Sequence, residues 1–233
     1  MSDHDVPAEA GPDHEGPASG ASDGQGDPAG LVADGLTKRF GERAVVDRVE
    51  LDLAPGEVLA LIGGNGSGKT TLLRMLTGAL EPDDGSVTWR GRKVDEADPW
   101  VRRELAVLLD DAQTFPDLSV LEHCELLARA FGLADARERA LAVVDEVGLA
   151  AQAGQLPTSL SSGQRHRLGL ASVLVRPSGL VVLDEPEQRL DDAGRTWLGE
   201  RLRGLADDGA AVVMASHDDQ LVSEVADLVL ELG

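Results

Sequence analysis

The chain has 233 residues, 42% of them hydrophobic, which is enough for one sizeable α/β domain with a real core and too few for two comfortable ones. Its 42 Asp and Glu residues against 21 Lys and Arg give a formal net charge of −21, so nucleic acid and anionic lipid headgroups are repelled at long range. No apolar run approaches the ~18–20 residues of a bilayer span, the polar, acidic N-terminus excludes a secretory signal peptide, and the single cysteine, Cys124, excludes a disulfide or a thiolate metal cluster, in keeping with a reducing cytoplasm.

Residues 1 to about 29 contain no Lys or Arg and few large apolar side chains. Such a segment cannot bury enough surface to offset its ordering entropy, and a disordered acidic tail is expected, with His4 and His14 solvated. From Leu31 the pattern becomes globular. Leu31 to Thr37 and Val45 to Leu53 read as strands, the second alternating Val49, Leu51 and Leu53 against Glu50 and Asp52. Ala54-Pro55-Gly56-Glu57 then forms a turn.

Val58 to Ile62 is a further strand, and Thr70 to Met75 and Leu76 suits a helix. Between them Gly63, Gly64, Asn65, Gly66, Ser67, Gly68, Lys69 and Thr70 match the phosphate-loop pattern G-x-x-x-x-G-K-[ST] in full. A glycine-rich turn lets successive backbone N–H groups point at one anion, and the helix N-terminus adds partial positive charge. Lys69 is expected on the β- and γ-phosphates and the Thr70 hydroxyl on Mg²⁺, with Thr71 beside them. The pattern implies a bound nucleoside triphosphate.

Downstream, Asp83-Asp84-Gly85 opens a hairpin around Val87 and Trp89, and Leu105 to Leu109 suits a buried strand. Ser119 to Gln155 has helical periodicity broken by Gly132 and Gly148, which predicts two or three helices; Cys124 reads there as a small buried residue. Leu160-Ser161-Ser162-Gly163-Gln164 opens the helical run Arg165 to Val175, and reads either as a second anion-binding N-terminus or as an ordinary N-cap. Leu180 to Leu183 is an apolar strand ending in Asp184 and Glu185, placed to hold Mg²⁺ through water and to polarise an attacking water. A helix from about Asp191 to Ala206 and a strand Ala211 to Met214 follow, and His217 lies just past that strand, within reach of a γ-phosphate. The fold class implied is α/β: a P-loop NTPase core with a mostly parallel sheet, an antiparallel β subdomain and an inserted helical subdomain at about residues 115–175, all within a domain of residues 30–233.

Together these stretches resemble the ATP-binding subunit of ABC transporters, over roughly residues 31 to 232. Leu160 to Gln164 is similar to that family's signature loop, Gly63 to Thr70 to Walker A, Leu180 to Glu185 to Walker B with its catalytic glutamate, Leu190-Asp191 to the D-loop, and His217 to the switch histidine. Phe40 matches the aromatic that stacks on adenine. The resemblance implies a head-to-tail dimer with two ATP molecules, each between one chain's Gly63–Thr70 and the other's Ser161–Gln164. It also implies separately encoded membrane permease subunits that hold the protein at the inner face of the cell membrane, with export as the expected direction. A soluble ABC-type ATPase and an ATP-dependent dimerisation module are the competing readings.

The sequence departs from the family pattern at three places. Ser162 stands where a glycine is usual, and a small residue still permits close approach. Aligning Phe115 to Val120 places Asp110 where the Q-loop glutamine belongs, with Gln113 three residues late; Asp110 is expected to serve the metal. Glu187-Gln188-Arg189 replaces the common Thr-Ser-Gly.

Overall fold

The computed structural model describes residues 30–109 and 114–233. The acidic segment 1–29 and the Q-loop positions Asp110 and Gln113 lie outside the described residues, so the metal role expected of Asp110 is neither placed nor displaced.

Two sheets share one core. The first is antiparallel, in the order β2 (Arg43–Leu53), β1 (Leu31–Phe40), β4 (Asp84–Trp89), β5 (Arg92–Lys93). The second runs β6 (Leu105–Leu108), β7 (Leu180–Asp184), β8 (Ala211–Ala215), β3 (Val58–Ile62), β9 (Leu228–Glu231), and its pairings are all parallel. A parallel sheet covered on both faces needs apolar side chains at every position, and β3, β7 and β8 are such runs. The period-2 alternation then deals them to two cores. Leu59, Leu61, Leu180, Val182, Ala211 and Val213 face α1 (Lys69–Leu76) and the antiparallel sheet, where Trp89 is fully buried. Val58, Ala60, Val181, Leu183, Val212 and Met214 face α6 (Asp192–Asp207) and α7 (Asp219–Val225).

A third core belongs to the helices between β6 and β7. α3 (Val120–Ala130), α4 (Ala136–Glu146) and α5 (Ser162–Leu174) enclose Cys124, Ala128, Ala140, Val144, Leu168 and Ala171. Glycine ends the first two helices as their sequence implies: Gly132 and Gly148 have φ of 81° and 71°, left-handed values at which the chain leaves the helix. Burial pushes the Cys124 thiol up to about 12, which keeps it protonated and inert. α5 serves two cores, since Leu170 and Val173 pack on the sheet side. It is therefore a rigid strut from the helical layer to the sheet. The P-loop NTPase architecture read from the sequence is the one observed. A short α2 (Pro99–Glu104), capped by Asp98, links β5 to β6.

Candidate functional site

The site lies at the carboxyl ends of three neighbouring strands, β7, β8 and β3. Because they are parallel and adjacent, the turns that follow them emerge side by side. Ala215 is the common row: it pairs with Asp184 on one side and Leu61 on the other. The Glu185 N–H donates to the Ala215 carbonyl at 2.9 Å and the Ser216 N–H to the Leu61 carbonyl at 3.2 Å, which fixes the heights of the turns.

The turn after β3 is made of backbone. Gly63 has φ 141°, and a Cβ there would sit 2.2 Å from the Leu232 carbonyl oxygen; Gly68 has φ 103°, and its Cβ would meet the Val45 carbonyl oxygen at 2.6 Å. Any side chain at either position collides with main chain, so glycine is required. The same Val45 contact holds the β1–β2 hairpin against the loop. Its tip carries Phe40, which is 56% exposed. Gly68 caps α1 with no side-chain hydrogen bond, and no acidic residue lies in the first turn. The leading N–H groups of α1, at Lys69, Thr70 and Thr71, thus face out without a side-chain acceptor, an arrangement suited to an anion.

Lys69 is 6% exposed. Its ammonium donates to the Gly63 carbonyl at 2.8 Å and the Gly64 carbonyl at 3.2 Å, leaving one of its three donors for another oxygen. The Ser67 hydroxyl is buried and has no hydrogen-bond partner. An orphaned hydroxyl inside a ring of N–H donors fits a phosphate oxygen, and Gly64, Asn65 and Gly66 leave the loop open at its outer rim.

On the next strand, Asp184 Oδ2 accepts from Thr70 Oγ1 at 2.6 Å. These two oxygens suit a small hard cation, which Mg²⁺ is, since it takes one or two protein ligands and fills the rest with phosphate and water. Among the described residues no group of three or more His, Cys, Asp or Glu side chains could hold a metal alone. Glu185 follows, with φ 48°, a left-handed value that costs a non-glycine residue roughly 1–2 kcal/mol. Its carboxylate is bracketed: His217 Nε2 lies 3.3 Å from Oε1, and Gln188 Nε2 donates to Oε2. His217 comes from the turn after β8, whose Ser216 hydroxyl donates at 2.7 Å to Oε1 of Glu187.

Lys69, Thr70 and Asp184 are thus gathered at one place, with Glu185 and His217 paired beside them. Ser161, Ser162, Gly163 and Gln164 are not. Ser161 and Gln164 form a capping box at the start of α5, the Ser161 hydroxyl accepting from the Gln164 N–H and the Gln164 side chain accepting from the Ser161 N–H. Among the described residues no hydrogen bond or ion pair joins that segment to the phosphate loop. The helix reaches the β7 turn instead. His166 Nε2 lies 2.9 Å from the Pro186 carbonyl, and an Arg189 guanidinium N–H donates to the Ser162 carbonyl at 3.5 Å. His166, Glu187 and Gln188 carry no motif signal of their own; the departure at residues 187–189 from the common pattern marks the latter two.

Comparison with known proteins shows the family and the fold. The family model described as ABC transporter matches residues 46–188. The chain is 34% identical to the SkfA peptide export ATP-binding protein SkfE of Bacillus subtilis, over 84% of this chain and 82% of that one. It is also 34% identical to the sulfate/thiosulfate import ATP-binding protein CysA 2 of Chromobacterium violaceum, over 87% of this chain, and spans only 56% of that relative's length. A solved structure of the ATP-binding subunit of an ABC transporter superposes with a TM-score of 0.79 at 25% identity, covering 87% of this chain and 85% of that one. A dimeric ATP-binding cassette in a post-hydrolysis state with ADP and Pi superposes with a TM-score of 0.78 at 24% identity, over 87% of this chain and 94% of that one, which speaks for the fold. The chain belongs to the ABC transporter family, as one of its ATP-binding, ATP-hydrolysing subunits.

Proposed function

We propose that this subunit hydrolyses ATP to power transport through separately encoded membrane permease subunits, in a closed dimer whose two ATP molecules lie between facing chains. The observation that carries the reading is the row of turns after β3, β7 and β8, which sets Thr70 and Asp184 2.6 Å apart and Glu185 and His217 3.3 Å apart.

In this reading Phe40 stacks on adenine, and residues Gly63 to Thr71 take the phosphates. Thr70 and Asp184, with Asp110, would hold Mg²⁺, which would supply neutralisation of the phosphates' negative charge. A water oxygen attacks the γ-phosphorus, the bond to the β–γ bridging oxygen breaks, and ADP leaves. Glu185 takes the proton from that water as its general base. His217 donates to a γ-phosphate oxygen, and Lys69 turns its free N–H toward the same group. Ser161, Ser162, Gly163 and Gln164 of the facing chain close the pocket from the other side. Within one chain that segment caps α5 and makes no hydrogen bond to the phosphate loop, which supports that division of labour. Two helix N-termini then share the γ-phosphate charge, so ATP favours the dimer and ADP does not.

A groove supports the permease contact. About 670 Å³ in volume, it runs between β6 and α3 and is lined by Val107, Leu109, Phe115, Leu127 and Phe131, with Phe115 47% exposed. Such a surface on so acidic a protein suits an apolar protein segment rather than a lipid headgroup. No helix among the described residues is long and apolar enough to cross a membrane, so attachment to the inner face of the membrane runs through that partner. We propose export as the direction, on the likeness to the peptide-export relative; an importer's subunit is equally identical, at 34%. The working unit is residues 30–233 with a helical subdomain at about 115–175, and the acidic segment 1–29 lies outside it.

Co-purification with a polytopic membrane protein, stimulation of ATP hydrolysis by it and ATP-driven accumulation of substrate inside inverted vesicles test the proposal. Hydrolysis indifferent to any such protein points to an ABC-type ATPase uncoupled from transport.

A further inference from the structure

We infer that Glu187 is a positioning residue for hydrolysis: its buried carboxylate pins the turn that carries His217, and so sets where the imidazole stands relative to Glu185. The inference rests on the role proposed for His217.

Glu187 is 8% exposed and belongs to the turn after β7. A single oxygen, Oε1, accepts from the Ser216 hydroxyl at 2.7 Å and from the His217 N–H at 3.0 Å. The Ser216 hydroxyl, itself 1% exposed, accepts in turn from the Asp218 N–H at 3.0 Å, and Asp218 caps α7 by accepting from the Leu221 N–H at 3.0 Å. The β8 turn is therefore tied at three successive residues, and the root of that chain of bonds is one side chain from the neighbouring strand. His217's own side chain is 41% exposed, and the contact that meets its ring is Glu185 Oε1 at 3.3 Å. Its position follows from its backbone, which Glu187 holds.

The residue type is informative. A threonine, the common occupant here, offers a shorter side chain and a neutral acceptor. A carboxylate reaches farther and accepts more strongly, at the desolvation cost of a buried charge. Here Oε2 is buried with no partner, so that cost is only half offset. Packing alone gives no reason for a buried acidic oxygen without a partner. Holding two donors of the catalytic turn does.

The test is steady-state ATP hydrolysis by the full chain, comparing Glu187→Leu, Glu187→Gln, His217→Ala and the Glu187→Leu/His217→Ala double variant. Loss of the pin is expected to lower kcat by roughly ten- to a hundredfold, the scale of a misplaced catalytic group. KM for ATP should stay within about twofold, since the phosphate loop is untouched. Glu187→Gln keeps an acceptor at the Oε1 position and should recover most of the loss. In the His217→Ala background, Glu187→Leu should cost nothing further, because the two residues act as one unit. Multiplicative losses in the double variant, or a fall in kcat matched by a rise in KM, overturn the inference and leave a structural residue. If His217→Ala loses turnover and Glu187→Leu does not, the inference alone falls; if His217→Ala itself keeps full kcat, the role of His217 falls first. Should Glu187→Leu fail to fold, Ser216→Ala against Glu187→Gln carries the same contrast: a kcat loss in the former alone is expected, and equal activity in both overturns the pin.

Discussion

The phosphate loop and the paired turns after β7 and β8 stand next to each other and are built on opposite principles. In the loop, the donors are backbone N–H groups, and glycine is needed because main chain from Leu232 and Val45 leaves no room for a Cβ. In the paired turns, the geometry is held by side chains: Glu187 to Ser216 and His217, Gln188 to Glu185, His217 to Glu185. A backbone site grips an anion whatever its neighbours do, provided nothing is added. A side-chain site can be retuned residue by residue, and it fails by losing an acceptor rather than by gaining bulk. Binding of phosphate and timing of hydrolysis are thereby separable in this chain.

Substitutions at four positions sharpen or break that separation. Glu185→Gln removes the general base and should cut turnover by about 10²–10⁴-fold while ATP binding, followed with a fluorescent analogue, persists. If binding is lost as well, the two regions are not independent. Gly63→Ala should destabilise by about 2–4 kcal/mol and abolish ATP binding, through the clash with Leu232 and a disfavoured φ, whereas Asn65→Ala at the open rim should be close to neutral. Thermal melting with and without nucleotide distinguishes them; equal effects at both positions contradict a backbone-built loop. Thr70→Ala removes a single oxygen beside Asp184 and should raise the Mg²⁺ concentration for half-maximal rate by about tenfold, the worth of one charge-assisted contact. Thr70→Ser should keep it.

The smallest effect concerns α3. Burial holds the His123 pKa below its ordinary value of 6.5. Its Nε2 lies 2.9 Å from the Ser172 hydroxyl of α5, and the Phe115 ring stands 5.4 Å from its own. The unfolded chain takes up the proton first, so stability should fall as pH drops through about 6.5 and level off below the folded-state pKa. His123→Gln, which cannot titrate, should flatten that part of the melting-temperature profile. An unchanged slope would show that another group governs it.

What was legible in the sequence follows the same division. β3, β7 and β8 are buried on both faces, so their apolar runs stand out, and the loop motif and the acid pair at a strand end are local in sequence. The glycines at 132 and 148 mark helix ends because left-handed φ is a local requirement. By contrast β9 is an edge strand with Val229 54% exposed, and α2 and α7 are six and seven residues long, too short to show a period. The Glu187 contacts join residues 29 and 30 positions apart, across two strands adjacent only in the folded sheet. No spacing rule announces them. The departure at Glu187-Gln188-Arg189 was visible as an oddity, and only the neighbouring turn gives the glutamate a partner.

The shared-ATP dimer is tested most directly by the mass of the Glu185→Gln chain in sedimentation with ATP and Mg²⁺. A species of twice 24.4 kDa that reverts to single chains with ADP is the expected result. Single chains at every concentration, with ATP demonstrably bound, contradict it.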